Sequence, residues 1–313
     1  MPTTVASAIA QLAELLSASR QNYDACLDHL DYQHTFSGVS ATTRLHHLKL
    51  DSNEQPKVAA LAKCLVNHAI DYALSARDRP EVLSNQDAMM YAQEARKLFR
   101  VVAAPPGTAD LAGEAGELLL YFLLEAVIQA PQVVAKMELK TNTALEVNGS
   151  DGIHMRWHPI DGVVDIYFGE SKMYADVGTA LTRAFESIES FHACGMREHE
   201  YTMVTKHFKG VDDTLKQAVK EILDSGKPGP DARINHACLI GYNWSPDGLT
   251  PQQALEAVQA EYREQYRLQA PRLHRLLETR LNNCQRKMYR FEEFFLPFVS
   301  VQAFRDAFDE CLR

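Results

Sequence analysis

The 313-residue chain has no long hydrophobic run. Its longest uninterrupted apolar stretch, Leu118 to Leu124, is far too short to cross a bilayer as a helix. No basic start leads into an apolar run near the N-terminus, so nothing marks a secretory segment and a cytoplasmic protein is expected. The six cysteines (Cys26, Cys64, Cys194, Cys238, Cys284, Cys311) include no C-x-x-C pair, which argues against a zinc site or a disulfide framework and for reduced thiols. Basic charge is also scarce, with 32 Lys and Arg against 41 Asp and Glu and a formal net charge of -9. A protein that coats nucleic acid unaided needs surplus cations to neutralise phosphates, so that class is excluded. A nucleic-acid substrate would have to be held by a local basic surface or by a partner. No internal repeat or low-complexity tract stands out.

What remains is an ordinary globular composition, 46% hydrophobic and 23% charged, on a chain long enough for one large or two moderate domains. Residues 5–33 carry apolar positions at helical spacing and predict one or two helices. Arg44 to Leu50 reads as a strand. Its adjacent His46 and His47 would point to opposite faces, which favours a structural role over a metal pair. Helices are expected from Pro56 to about Leu74 and from about Asn85 to Phe99. Pro105-Pro106-Gly107 then supplies a boundary, dividing a mostly helical N-terminal region (1–104) from a core with a C-terminal helical extension (105–313).

Asp110 to Ala130 is apolar almost all round and should be a buried helix. Glu114, Glu117 and Tyr121 share one side of it, and a carboxylate in such a helix needs something positive to meet. Glu117 is the one placed toward a site. Strands are expected at 133–141, 151–158 and 163–172, the last two joined by the turn signal Pro159-Ile160-Asp161-Gly162. An amphipathic helix follows at 176–193, a further helix at 214–223, and a buried strand at Ala237 to Tyr242. Thr250-Pro251 opens a long helix to about Lys287, interrupted near Pro271. Between Glu256 and Arg290 eight Lys or Arg stand against four Glu, the one clearly basic stretch of the chain. It reads either as a phosphate-facing surface or as a solvated or partner-docking face. The aromatic tail Phe291 to Phe308 belongs to the core or to a partner contact.

The chemistry concentrates in Gly149-Ser150-Asp151-Gly152-Ile153-His154 and Phe168-Gly169-Glu170-Ser171-Lys172. With an even number of residues in the connecting turn, Asp151 falls opposite Glu170 or Lys172 on one face of a hairpin. Two carboxylates and an ammonium gathered in this way suit phosphodiester hydrolysis, in which Mg²⁺, or Mn²⁺ in its place, neutralises the phosphorane-like transition state. Mg²⁺ takes hard oxygen ligands and keeps several waters, so Asp151 and Glu170 suffice, with the Ser171 carbonyl and Glu117 completing the shell. Lys172 is positioned to orient water or stabilise charge. Glu138-Leu139-Lys140 offers a competing Glu-x-Lys on the preceding segment.

The order of helix with Glu117, strand, Asp151 strand, Glu170-x-Lys172 strand and helix resembles the αβββαβ core of the PD-(D/E)xK nucleases. Ser150 stands where many members of that superfamily have proline. More narrowly, Gly113 to Tyr121 together with the two motifs above resembles the HamA family of the Hachiman anti-phage defence system, from about residue 44 onward. The resemblance implies an α/β fold, a mixed β-sheet core flanked by helices with further N- and C-terminal helices. It also implies a DNA nuclease that works with a helicase partner, HamB. Such a partner would account for an acidic nuclease.

Overall fold

The computed structural model describes residues 11–75, 84–99, 113–137, 149–209, 212–223, 232–249 and 254–313. Outside these lie the Pro105-Pro106-Gly107 boundary, the Glu138-Leu139-Lys140 alternative and the Thr250-Pro251 cap.

A short 3₁₀ turn (Gln11–Leu15) precedes helix α1 (Arg20–Cys26) and strands β1 (Leu27–Leu30) and β2 (Ser40–Leu48). Helices α2 (Val58–Asn67), α3 (Ala69–Ala73) and α4 (Asn85–Leu98) follow, then α5 (Glu114–Leu123), which widens into a π-type turn over Leu124–Ile128. The hairpin β3 (Gly152–His158) and β4 (Val163–Tyr174) leads to α6 (Val177–Ala193), α7 (Met196–Lys206), α8 (Asp213–Leu223) and β5 (Ala232–Asn243). The described chain closes with α9 (Leu255–Arg267), α10 (Ala270–Asn283), β6 (Arg290–Phe298) and α11 (Val301–Leu312).

The strands form one mixed sheet in the order β1-β2-β6-β5-β4-β3. Its centre, β2-β6-β5-β4, is parallel, and β1 and β3 close the two edges antiparallel. The fold is therefore α/β, as expected, and strands from either side of residues 100–112 share the sheet. Both faces are covered, and β5 in the middle of the sheet carries the apolar run Ala237 to Ile240. Ala237 and Leu239 of β5 pack with α5, Phe294 and Phe304 on one face; Cys238 and Ile240 pack with Leu181, Leu273 and Leu277 of α6 and α10 on the other.

Two expectations need correction, at 133–137 and in the N-terminal stretch. Within 133–137 there is no strand: Gln132 makes one isolated bridge to His154 and Lys136-Met137 form a turn, because Val133 and Val134 are buried by packing rather than by a ladder. The interruption expected near Pro271 is present: the long helix divides into α9 and α10, with Leu268 and Gln269 between them. The N-terminal stretch yields β1 beside α1 in place of further helix, whereas the aromatic tail is core as expected, the buried strand β6 followed by α11.

Candidate functional site

Two glycines bring α5 down onto β4. A Cβ on Gly116 would lie 2.4 Å from Ser171 Oγ and 3.0 Å from Met173 Sδ, and one on Gly169 would meet Leu120 at 3.1 Å. Glu117, one residue along from Gly116, thereby reaches the end of the hairpin. It accepts a hydrogen bond from Tyr72 Oη at 3.0 Å, and it lines a narrow pocket with Tyr72, Asp151 and His154.

The turn between β3 and β4 holds four residues, and the ladder runs from His158↔Val163 to Gly152↔Gly169. One further step places Asp151 level with Glu170, the even-turn outcome anticipated from the sequence. The regular ladder stops there. Asp151 N–H donates to the Gly169 carbonyl at 2.8 Å, and the Asp151 carboxylate accepts the Ser171 N–H at 2.6 Å. The side chain thus occupies the place where a continuing strand would have offered a carbonyl, and this fixes its direction.

Glu170 is buried and ion-paired with half-buried Lys172, and the nearby Ser187 hydroxyl of α6 favours its charged form. Burial, followed by the charges of Glu170 and Glu117, pushes the Asp151 carboxyl well above the usual carboxylate range. Burial raises Glu170 as well, against the pull of Lys172. At Lys172 burial works against the ammonium, but Glu170 and Asp151 outweigh it and hold the amine above its ordinary value. The structure accordingly gathers Glu117, Asp151, Glu170 and Lys172 around one end of the hairpin.

Whether this set suits a metal divides into two parts. Mutually repelling, partly buried oxygens are the chemistry a hard divalent cation relieves, so the donor types fit. Their positions do not converge: among the described residues no three His, Cys, Asp or Glu side chains are placed to hold a metal ion. Glu170 is turned toward Lys172 and Ser187 instead.

The HamA family model matches residues 24–312. The chain belongs to the HamA family, and so to a component of a Hachiman defence system. The match begins within α1 and takes in the edge strand β1, earlier than the start near residue 44 expected from motifs alone. Comparison with curated proteins returns no match.

Several residues of this HamA-family chain were not singled out by sequence. Tyr72 and Ser187 hold Glu117 and Glu170 from helices distant in the chain. His154 hydrogen-bonds the Ala130 carbonyl through Nδ1 at 2.8 Å, and burial lowers its pKa to about 3, so the pocket is lined by a neutral imidazole. The segment before Asp151 is gripped by Lys136 and Glu200. The His46-His47 pair is structural: His46 bonds Tyr23 Oη at 2.6 Å and stacks on Phe294, while His47 lies against Tyr262 and Tyr266. The basic stretch is partly engaged within the chain, Arg267 with Glu264 and Arg286 with Glu189, while Arg272, Arg275, Lys287 and Arg290 are exposed. No helix among the described residues is long and apolar enough to cross a membrane.

Proposed function

We propose that this HamA-family chain is a Mg²⁺-dependent DNA nuclease, the cleaving subunit of a Hachiman complex whose helicase partner supplies most of the hold on DNA. The observation that carries the reading is the Asp151 carboxylate, pinned by the Ser171 N–H beside the Glu170–Lys172 pair and repelled by Glu170 and Glu117. Asp151 and Glu170, assisted by Glu117 and the Ser171 carbonyl, would hold Mg²⁺, with Mn²⁺ as a substitute. The bound cation would supply Lewis-acid neutralisation of phosphoryl charge. Lys172 remains an ammonium beside the site and stabilises negative charge on the phosphate. Tyr72 and Ser187 keep two of the carboxylates aimed. A chain with a formal net charge of -9 is consistent with a partner that brings the DNA.

A catalytically silent scaffold is the second reading. It draws on Glu170, which is already satisfied by Lys172 and Ser187 as a structural carboxylate would be.

The deciding experiment incubates supercoiled plasmid with the chain, alone and with its helicase partner, in Mg²⁺ or EDTA. Mg²⁺-dependent nicking that is lost in Asp151→Ala, Glu170→Ala and Lys172→Ala supports the nuclease at this site. Loss only in Glu138→Ala and Lys140→Ala would move the site to that pair. No cleavage under any condition, with no cation-dependent rise in melting temperature, makes the chain a scaffold.

A further inference from the structure

We propose that the buried Lys136–Glu200 ion pair is a positioning device that sets the Asp151 carboxylate, an inference that rests on the nuclease reading above. Ser150, the residue immediately before Asp151, is held through both of its backbone polar atoms. Its N–H donates to Glu200 Oε1 at 2.9 Å, and its carbonyl accepts from Lys136 Nζ at 2.6 Å. Its hydroxyl lies 3.2 Å from the same Glu200 oxygen and 3.3 Å from Lys136 Nζ. Lys136 and Glu200 are ion-paired to each other, Glu200 at 0% exposure and Lys136 at 6%.

The chain can reach this grip because residue 149 is glycine. Gly149 has φ +133°, and a Cβ there would lie 2.2 Å from Glu200 Oε1 and 3.3 Å from Lys136 Nζ. Beyond Ser150 the restraint continues through Asp151 N–H on Gly169 and Ser171 N–H on the Asp151 carboxylate. From Ser150 to the carboxylate, the polar groups form one connected set, anchored by α7 at one end and β4 at the other.

A buried ion pair is a poor way to gain stability, because desolvating both charges offsets most of their attraction. What it gives here is direction. Glu200 and Lys136 present one acceptor and one donor to the two peptide units that flank Ser150, and only one placement of Ser150 satisfies both. A loop tethered by apolar contacts alone would let Asp151 swing along the edge of β4. A displacement near 1 Å at a reacting centre costs roughly 100-fold in rate.

The test combines cleavage kinetics with amide hydrogen exchange on Glu200→Gln, which keeps the shape and removes the charge. We expect kcat to fall about 10- to 100-fold with KM for DNA essentially unchanged. The Ser171 amide should exchange about 10-fold faster while the amide of Ile166, in the middle of β4, exchanges as in the parent. Unchanged kcat in folded Glu200→Gln, or equal acceleration at Ser171 and Ile166, would overturn the proposal. If Glu200→Gln fails to fold, Glu200→Asp keeps the charge one methylene short. It should then show intermediate kcat at unaltered KM, and parental kcat would again overturn it. Should the parent cleave nothing, the nuclease reading fails, whereas the exchange of Ser171 still reports whether the pair sets Asp151.

Discussion

The Asp151 carboxylate accepts the Ser171 backbone N–H at 2.6 Å, where β4 has outrun its partner β3. One side chain therefore completes a sheet edge and serves as the candidate metal ligand. Asp151→Asn separates the two roles, since its amide oxygen still accepts from Ser171 while the charge is gone. Cleavage of plasmid should be abolished. The melting temperature without metal should rise by about 2 °C, because the repulsion from Glu170 and Glu117 is relieved.

Gly116→Ala should cost stability although alanine is the better helix former by about 1 kcal/mol. The new methyl would press on Ser171 Oγ and Met173 Sδ and lift α5 from β4, with a cost of roughly 1–3 kcal/mol for overpacking. Urea denaturation should show net destabilisation, and the same variant should cleave more slowly because Glu117 moves with the helix.

Tyr72→Phe removes the hydroxyl that donates to Glu117 at 3.0 Å. A loss of about 1–2 kcal/mol in stability is expected. The Mg²⁺ concentration for half-maximal cleavage should rise severalfold, whereas kcat at saturating Mg²⁺ should change little; an unchanged Mg²⁺ requirement would remove Glu117 from the ligand set.

Glu125 is a staple behind the site. Its carboxylate accepts the N–H groups of Ser17 at 2.8 Å, Ala18 at 3.0 Å and Gln132 at 3.2 Å. Glu125→Ala leaves those donors unpaired in the interior and should cost roughly 3 kcal/mol in chemical denaturation.

Glu293 on β6 is fully buried, and beyond the Cys238 thiol neither carboxyl oxygen has a hydrogen-bond partner among the described residues. Burial pushes its pKa from 4.5 up to about 8. The folded chain thus keeps a proton that the unfolded chain releases. Its contribution to stability is present in full below about pH 4.5 and is lost as pH rises through about 8, at up to roughly 1.4 kcal/mol per pH unit. Between pH 5 and 8 the melting temperature of the parent should fall more than that of Glu293→Gln, and parallel curves would contradict this.

The hairpin, α5, α6 and β5 were legible because each carries its own local signal: a four-residue turn, an apolar cylinder, a 3.6-residue stripe and a short apolar run. β6 was not, since Glu292, Glu293 and Pro297 interrupt its pattern and its burial comes from β2 and β5 on either side. β1 is four residues long, too short to stand out from the helix before it. Around the site, the spacing of Asp151, Glu170 and Lys172 could be read from sequence. Tyr72, Ser187 and the Lys136–Glu200 pair could not, because residues 64 positions apart meet only after the sheet and α7 have packed.

The central place of β6 also has a consequence in time. Ser40 of β2 pairs with Arg290, 250 positions later, and β2 has no other route into the parallel part of the sheet. At typical ribosomal rates that interval is roughly 10–50 s. Until then β2 has β1 as its one possible neighbour, and a two-stranded ribbon of this kind, open along both edges, is marginal in water by itself. The N-terminal residues gain their lasting structure only when one of the last strands to be synthesised slots between the two halves.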